Sequence, residues 1–318
     1  MRVTEDNRRS EKLEACALPK VNPMNSLFRR LTAVGLTRNF VRETALPTWW
    51  DDEIVANPAG YAQGLMLLSR HLGLDLATLQ DEKTPLKLRK FGVCKYKKRD
   101  NVSEDELAIS RVIGTRAAQL AAESASAVPA SVPGDATEIR QQILDGNAPW
   151  VGLEQLLDYC WSAGVPVLHV DHFPKNARRP DGFAAKVGGR PVIVLCRHEM
   201  HSAWLLFILA HELGHIALGH IPDDGILLDE HVDGTGRDAE EQAANEFAIM
   251  LLTGAPEKRY VAADRWPNAT ELAAAAREIG RRELVDPVGV VRERMAERLD
   301  RSRLPEDSSE FLLRMTSN

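Results

Sequence analysis

The stretch FILAHELGHIALGH, residues 207–220, places two histidines and a glutamate in an otherwise apolar helical segment. A buried imidazole or carboxylate costs roughly several kcal/mol unless a polar group or an ion pairs with it. His211 and His215 are four residues apart, so on an α-helix they share one face, and Glu212 projects beside them. In an HExxH helix the histidines hold a zinc ion and the glutamate takes a proton from water. The stretch therefore predicts a metal-binding helix, rather than a helix whose histidines bond only to backbone carbonyls.

The composition is that of an ordinary globular protein. The chain has 318 residues, of which 44% are hydrophobic and 27% are charged, and its length allows two domains. Its net charge of -6 argues against a surface built throughout for nucleic acid. The uninterrupted apolar run from Ala203 to Ala210 is too short to span a bilayer, and the polar N-terminus has no secretory signal pattern. We therefore expect a cytoplasmic protein without membrane contact.

The cysteines do not form a recognisable zinc or disulfide pattern. They are far apart in the sequence and no CxxC pair is present. We expect buried free thiols at Cys16, Cys94, Cys160 and Cys196.

The sequence pattern divides the chain into five segments. A stretch rich in Ala, Ser and Pro without an apolar period, SASAVPASVPGDA, marks the boundary between two domains. In the first domain, Trp49 and Trp50 are expected to be core residues. The segments are a disordered N-terminus (1–22), a mainly helical N-terminal domain (23–123), a linker (124–136), a metal-binding domain (137–301) and a C-terminal tail (302–318).

A basic segment lies within the first of these domains. From Lys83 to Arg99 it contains eight Lys and Arg residues and no acidic residue, with Phe91 and Tyr96 interleaved. Such a stretch can make weak contacts with nucleic acid phosphates or an acidic partner. The alternative is the edge of a strand or hairpin that is protected by lysines.

The second half of the sequence predicts an α+β fold. A helix, LEQLLDYCWSAG, precedes a strand, VPVLHVD, and a hairpin, GFAAKV-GGR-PVIVLCR, turns at two glycines. The HExxH helix follows, then a turn-rich segment, the helix DAEEQAANEFAIMLL, and two more helices up to residue 301. We expect a mainly helical chain with a small three-stranded sheet packed on a zincin-like HExxH helix, beside a helical N-terminal domain.

A catalytic zinc needs a third protein ligand, and spacing alone leaves several candidates. His220 is five residues past His215, so it leaves the zinc face and is expected to be a helix-end residue or a group that contacts a ligand. Glu241 carries alanines on its own helix face, which allows close packing, but it can also cap its helix in a box with Asp238. Glu240 is an equal rival by spacing. The full set is His220, Glu230, His231, Glu240 and Glu241.

The segments AHELGHIALGH and EEQAANEFAIMLL, after a hairpin that ends in RPVIVLCR, resemble the ImmA/IrrE family of bacterial and phage metallopeptidases. The resemblance covers about residues 139–301. It implies one Zn²⁺ per chain and Glu212 as the general base. The zinc ligands that it implies are His211, His215 and Glu241, of which Glu241 opens the ExxAN segment.

The resemblance also implies further roles and a substrate. Asn245 would orient a ligand histidine. The family typically cuts a helix-turn-helix repressor at one site in a stress, phage or mobile-element response. The chain departs from the family at Thr253 and Gly254, where relatives usually have Met-Pro, and this affects the local turn.

Two further questions remain open at the level of the sequence. His231 and Tyr260 are candidates to stabilise the oxyanion of the reaction. The alternative function is a zinc-stabilised binding module or a DNA-associated regulator without protease activity. The intact Glu212 argues against a purely structural zinc site, because such a site needs no base.

Overall fold

The computed structural model describes residues 23–87, 94–97, 104–174, 179–196, 202–223, 226–229, 239–256 and 268–291. The chain forms two compact units, Met1–Arg89 and Lys90–Asn318. Residues 124–136, the predicted linker, lie inside the second of these units, and the domain boundary expected there stays a prediction. The predictions for the N-terminus (1–22) and the tail (302–318) fall outside the described residues.

The first unit is helical. Its second and third helices begin at side-chain caps: Thr37 accepts a hydrogen bond from the backbone N–H of Phe40, and Asn57 caps a helix that begins at a proline. The elements are α1 (Pro23–Ala33), α2 (Arg38–Thr44), a 3₁₀ turn (Ile54–Ala56), α3 (Pro58–Leu72) and α4 (Leu76–Gln80).

Two tryptophans of this unit differ in environment. A Cβ at Gly64 would lie 2.9 Å from the ring of Trp50, so this indole packs closely on α3. Trp49 is 61% exposed, so the prediction that it is a core residue is wrong. Adjacent side chains on an irregular loop point in different directions, and only one of these two reaches the helix.

Arg30 holds the end of α4 in the first unit. Its guanidinium donates hydrogen bonds to four backbone carbonyls. These carbonyls lie at and just beyond the C-terminus of a short helix, where they have no partner within the helix. The acceptors are Thr78, Leu79, Asp81 and Thr84.

The second unit has helices on both faces of one mixed sheet. The α+β class is therefore confirmed. The helices are α5 (Glu104–Ser124), α6 (Ala136–Asp145), α7 (Leu153–Ser162), α8 (Ser202–Ala217), α9 (Ala239–Thr253) and α10 (Ala269–Glu283). The strands are β1 (Cys94–Lys97), β2 (Val167–His169), β3 (Gly182–Val187), β4 (Arg190–Leu195) and β5 (Ile226–Asp229).

The sheet has five strands, in the order β1-β5-β3-β4-β2, rather than three. The three predicted strands are present, and β3 and β4 form the predicted hairpin around Gly188 and Gly189, which both have positive φ. The two additional strands pair with each other in parallel, and β5 continues the sheet antiparallel to β3. Strand β1 lies at an edge of the sheet and belongs to the basic segment, which is the alternative that the sequence left open for Cys94–Lys97.

Alternate residues of β4 face two different helical layers. Val192 and Val194 share a core with Ala118 of α5, and a Cβ at Gly114 would lie 2.3 Å from the ring of Phe183. Helix α5 therefore packs on the sheet of the second unit, although the sequence assigned it to the N-terminal domain. The opposite face of β4 contacts α8 in a core that α6, α7 and α9 complete.

Two buried thiols lie in this unit. Cys160 and Cys196 are free, as predicted. Burial raises the pKa of Cys160 to about 12 and also raises the pKa of Cys196. Cys16 lies outside the described residues. Among the described residues, no helix is long and apolar enough to cross a membrane.

Candidate metal centre

Helix α8 is buried along most of its length. It lies between the sheet and the helices α7 and α9, so apolar residues are required on nearly every face. Three polar side chains of this helix are fully buried as well: His211, Glu212 and His215 each have 0% exposure. Such groups require polar or ionic partners inside the fold.

Helix α9 approaches α8 closely at Gly214, the residue directly before the second histidine of the HExxH segment. A Cβ at this position would lie 3.2 Å from the carbonyl oxygen of Ala244 and 3.1 Å from Cδ1 of Phe247. Ala244 lies at this contact, and both Ala244 and Ala248 are fully buried. Small residues on both helices therefore allow α9 to bring its first turn to the two histidines.

That first turn supplies the third group of the site. The two imidazoles have their Nε2 atoms 3.0 Å apart. One carboxylate oxygen of Glu241 lies 3.4 Å from Nε2 of His211, and the other lies 3.2 Å from Nε2 of His215. The potential ligand atoms of these three residues lie within 4.8 Å of one another. Among the described residues, they form the one cluster of this kind.

The donor set fits a zinc ion. Two ligand atoms at zinc distances of about 2.0 to 2.1 Å, in tetrahedral geometry, lie roughly 3.3 Å apart. The three distances of 3.0, 3.2 and 3.4 Å are close to this value. Two imidazole nitrogens and one carboxylate are also the donor types of catalytic zinc sites. The residues present can therefore hold this metal.

The other nitrogen of each histidine contacts a polar side chain. Nδ1 of His211 lies 2.9 Å from Oδ1 of Asn245, which is on α9. Nδ1 of His215 lies 2.8 Å from Nδ1 of His220, just beyond the end of α8. Because an amide oxygen only accepts, Nδ1 of His211 carries a proton, and its Nε2 lone pair faces the cluster. The role that the resemblance implied for Asn245 requires this contact, and the role itself stays a prediction.

Glu212 lies against the beginning of β3. A Cβ at Gly182 would lie 3.1 Å from Oε1 of Glu212 and 2.7 Å from Cγ2 of Ile208. A side chain at this position would therefore force Ile208 and the carboxylate to shift. The negative charge of Glu212 also contributes, after burial, to the raised pKa of the neighbouring Cys196 thiol.

The structure separates the candidates that the sequence could not rank. Glu241 belongs to the cluster, whereas Glu240, also on α9, does not. His220 contacts the Nδ1 side of His215 rather than the side that faces the cluster. Glu230, His231 and Tyr260 fall outside the described residues, as does most of the basic segment. The sequence did not single out Gly182, since a glycine at the start of a strand has no signal that relates it to a distant carboxylate.

Helix α9 ends at a glycine cap, in the turn at Thr253 and Gly254. Gly254 has φ of 75°, and its N–H donates to the carbonyl of Met250. The guanidinium of Arg140 packs over it, since a Cβ at Gly254 would lie 3.1 Å from Nε. A glycine in the left-handed conformation therefore ends this helix.

The comparison with known families suggests a metallopeptidase-like domain for this part of the chain. Residues 163–299 match the family model Peptidase_M78, described as the IrrE N-terminal-like domain. For these residues the match confirms the resemblance to the ImmA/IrrE family. No curated protein and no solved structure shows significant similarity to the chain. A peptidase domain implies a protein as substrate.

Proposed function

We propose that the chain is a zinc-dependent endopeptidase that binds one Zn²⁺ through His211, His215 and Glu241. The observation that carries this proposal is the convergence of two imidazole nitrogens and one carboxylate in a buried site. The membership of residues 163–299 in a peptidase family supports it. A structural zinc site is typically closed by four protein ligands, whereas this cluster contains three among the described residues.

Glu212 acts as the general base and acid of the proposed reaction. When bound, zinc polarises the carbonyl of the scissile peptide bond and lowers the pKa of a water to about 7. Glu212 accepts a proton from the attacking water, whose oxygen forms a bond with the carbonyl carbon. The bond between this carbon and the amide nitrogen then breaks, and Glu212 returns the proton to the leaving amine. The lack of a side chain at Gly182 leaves room for the carboxylate beside the strand.

The proposed substrate is a helix-turn-helix repressor that is cut at one site in a stress, phage or mobile-element response. This part of the proposal rests on the resemblance of the sequence to the ImmA/IrrE family. A protease for one regulatory protein needs further contacts with its substrate besides those at the scissile bond, because a peptide bond alone carries little sequence information.

The proposal is tested first by zinc content. We expect one zinc per chain in the wild type and in Glu212→Gln, because the base is not a ligand. We expect loss of zinc from His215→Ala and Glu241→Ala. Glu240→Ala is the matched control, since it removes a carboxylate from the same turn of α9 without touching the cluster.

Proteolysis is then measured with repressors encoded near the gene for this chain. We expect one cut by the wild type and none by Glu212→Gln, although this variant retains zinc. Zinc binding without any cut in a panel of such repressors would favour a zinc-stabilised binding module. A wild type that binds no zinc in zinc-replete buffer would overturn the peptidase proposal.

A further inference from the structure

The end of α8 is a turn that folds the chain back onto the helix. Gly219 has φ of 71°, in the left-handed region, and the N–H of His220 donates to the carbonyl of His215 over 3.0 Å. A bond of this span around a left-handed glycine is a Schellman motif, in which the residue after the glycine usually makes an apolar contact with the last turn. Here the contact is polar instead, between the imidazoles of His220 and His215.

The contact between these imidazoles restricts where their protons lie. A neutral imidazole carries one N–H, so of two nitrogens 2.8 Å apart one donates and the other accepts. If His220 donated, Nδ1 of His215 would accept and Nε2 of His215 would carry the proton. A protonated Nε2 has no lone pair for a metal. Zinc binding through Nε2 of His215 therefore requires that His215 donates and His220 accepts.

We propose that Gly219 places His220 as the acceptor for the Nδ1–H of His215, and that this contact favours the tautomer of His215 whose Nε2 atom can bind zinc. His220 is a positioning residue, because it acts on the metal through His215. The inference rests on the proposed zinc function. It assigns to the end of α8 the same task that Asn245 performs from α9, whose amide oxygen accepts from Nδ1 of His211.

The chemistry of the two acceptors suggests a conservative replacement. In asparagine, Oδ1 is attached to Cγ, as Nδ1 is in histidine, so His220→Asn places an acceptor at nearly the same position. His220→Ala removes the acceptor and leaves the backbone unchanged. Polar partners of zinc-binding histidines typically contribute about 10- to 100-fold to metal affinity.

The glycine offers a second, independent pair of variants. A Cβ at Gly219 would meet no atom within 4 Å, so a substitution acts there through the backbone conformation alone. Alanine is disfavoured at positive φ, whereas asparagine adopts it more readily. Gly219→Ala should therefore displace His220, and Gly219→Asn should keep it in place. Gly73→Ala is a matched control, because Gly73 has φ of 61° at the end of α3 in the other unit.

The test is the zinc affinity of the full-length protein, measured by competition with a chromophoric chelator. We expect His220→Ala to bind zinc about 10- to 100-fold more weakly than the wild type and His220→Asn to lie within about threefold of it. Gly219→Ala should bind more weakly than Gly219→Asn, and Gly73→Ala should bind as the wild type does. Thermal unfolding of each metal-free variant shows whether a loss of affinity reflects a loss of fold.

The outcomes separate this inference from the proposed function. Wild-type zinc binding that is unchanged in His220→Ala, or lost equally in His220→Asn and His220→Ala, overturns the role of His220 but leaves the zinc site in place. A wild type that binds no zinc overturns the proposed function and this inference together. If His220→Ala does not yield folded protein, the comparison of Gly219→Ala with Gly219→Asn decides.

Discussion

The amide oxygen of Asn245 lies 2.9 Å from Nδ1 of His211, so this contact joins α9 to α8, the HExxH helix. Both side chains are buried. The contact fixes the ring orientation and the tautomer of one histidine of the cluster, and it does so from the same helix that carries Glu241. Helix α9 therefore carries one proposed zinc ligand, Glu241, and also Asn245, which contacts a second proposed ligand, His211.

Removal of this amide should weaken zinc binding. Asn245→Ala leaves Nδ1 of His211 without its acceptor, and we expect a loss of about 10- to 100-fold in zinc affinity. Asn245→Asp retains an oxygen at the same position and should bind nearly as the wild type does. Competition with a chelator measures both. Gln242→Ala is the control on the same helix, because Gln242 is exposed and bonds to Glu246. Equal affinity of Asn245→Ala and the wild type would contradict this role.

Gly214→Ala should lower zinc affinity more than it lowers the stability of the fold. The added methyl lies 3.1 to 3.3 Å from atoms of Ala244 and Phe247, so α9 must move by a few tenths of an ångström. Overpacking of this kind costs about 1 to 3 kcal/mol, and the higher helix propensity of alanine offsets about 0.5 to 1 kcal/mol of that. We expect a modest fall in the free energy of unfolding and a clear fall in zinc affinity, because Glu241 moves with α9.

The control for this variant lies on the opposite face of the sheet. Gly114→Ala places a methyl against the ring of Phe183 and should also lower the free energy of unfolding. It should leave zinc affinity unchanged, since α5 does not contribute to the cluster. If both variants lowered zinc affinity equally, the effect would be one of general destabilisation rather than of the contact between α8 and α9.

Arg140 joins the ends of two helices of the second unit. Its buried guanidinium donates to four backbone carbonyls at the C-termini of α9 and α10, namely those of Leu251, Leu252, Glu283 and Leu284. Arg140→Met retains much of the apolar stem but leaves these carbonyls without donors. We expect a loss of about 2 to 4 kcal/mol in the free energy of unfolding, measured by urea denaturation.

Arg30→Met is the matched control for Arg140→Met. Arg30 also donates to four carbonyls at a helix end, but it lies in the first unit. Both variants should destabilise the unit to which they belong. Only Arg140→Met should also lower zinc affinity, because α9 carries Glu241. Normal zinc affinity in Arg140→Met would show that the end of α9 does not influence its first turn.

The sequence predicted the parts of the site that depend on local spacing. His211, Glu212 and His215 lie within five residues of one another on one helix, so their relative placement follows from helix geometry alone. Glu240 and Glu241 differ by about 100° around a second helix, and spacing alone does not show which of them faces the first. Only the packing at Gly214 fixes that rotation.

The parts of the fold that the sequence missed depend on distant contacts. Strands β1 and β5 are short, and the residues that they pair are more than a hundred positions apart in the sequence. Strand β1 is rich in lysine and β5 follows turn-forming residues, so neither shows a clear strand pattern. Helix α5 follows the basic segment and precedes a proline-rich stretch, so it was assigned to the first domain. The fit of the Phe183 ring against Gly114, which no pattern reveals, places it on the sheet instead.

Asp286 and Asp135 should give opposite pH dependences of stability. Burial raises the pKa of Asp286, although its carboxylate accepts a hydrogen bond from the N–H of Val288. A raised pKa in the folded state means that stability is greatest below the unfolded pKa, about 3.9, and is lost as the pH rises through the folded value. Asp286→Asn keeps an acceptor and has no charge to bury. We therefore expect it to match the wild type near pH 4 and to exceed it in stability at pH 7.

The pKa of Asp135, the cap of α6, is lowered by hydrogen bonds from the side chain and the backbone N–H of Thr137. Its contribution is present above the unfolded pKa and is lost as the pH falls through the folded value. Asp135→Asn should therefore be less stable than the wild type from pH 7 down to about pH 4, and the difference should shrink below that pH. Urea denaturation between about pH 2.5 and pH 7 measures both variants in the same unit. Pairwise differences from the wild type that do not change with pH would show that neither carboxyl is perturbed by the fold.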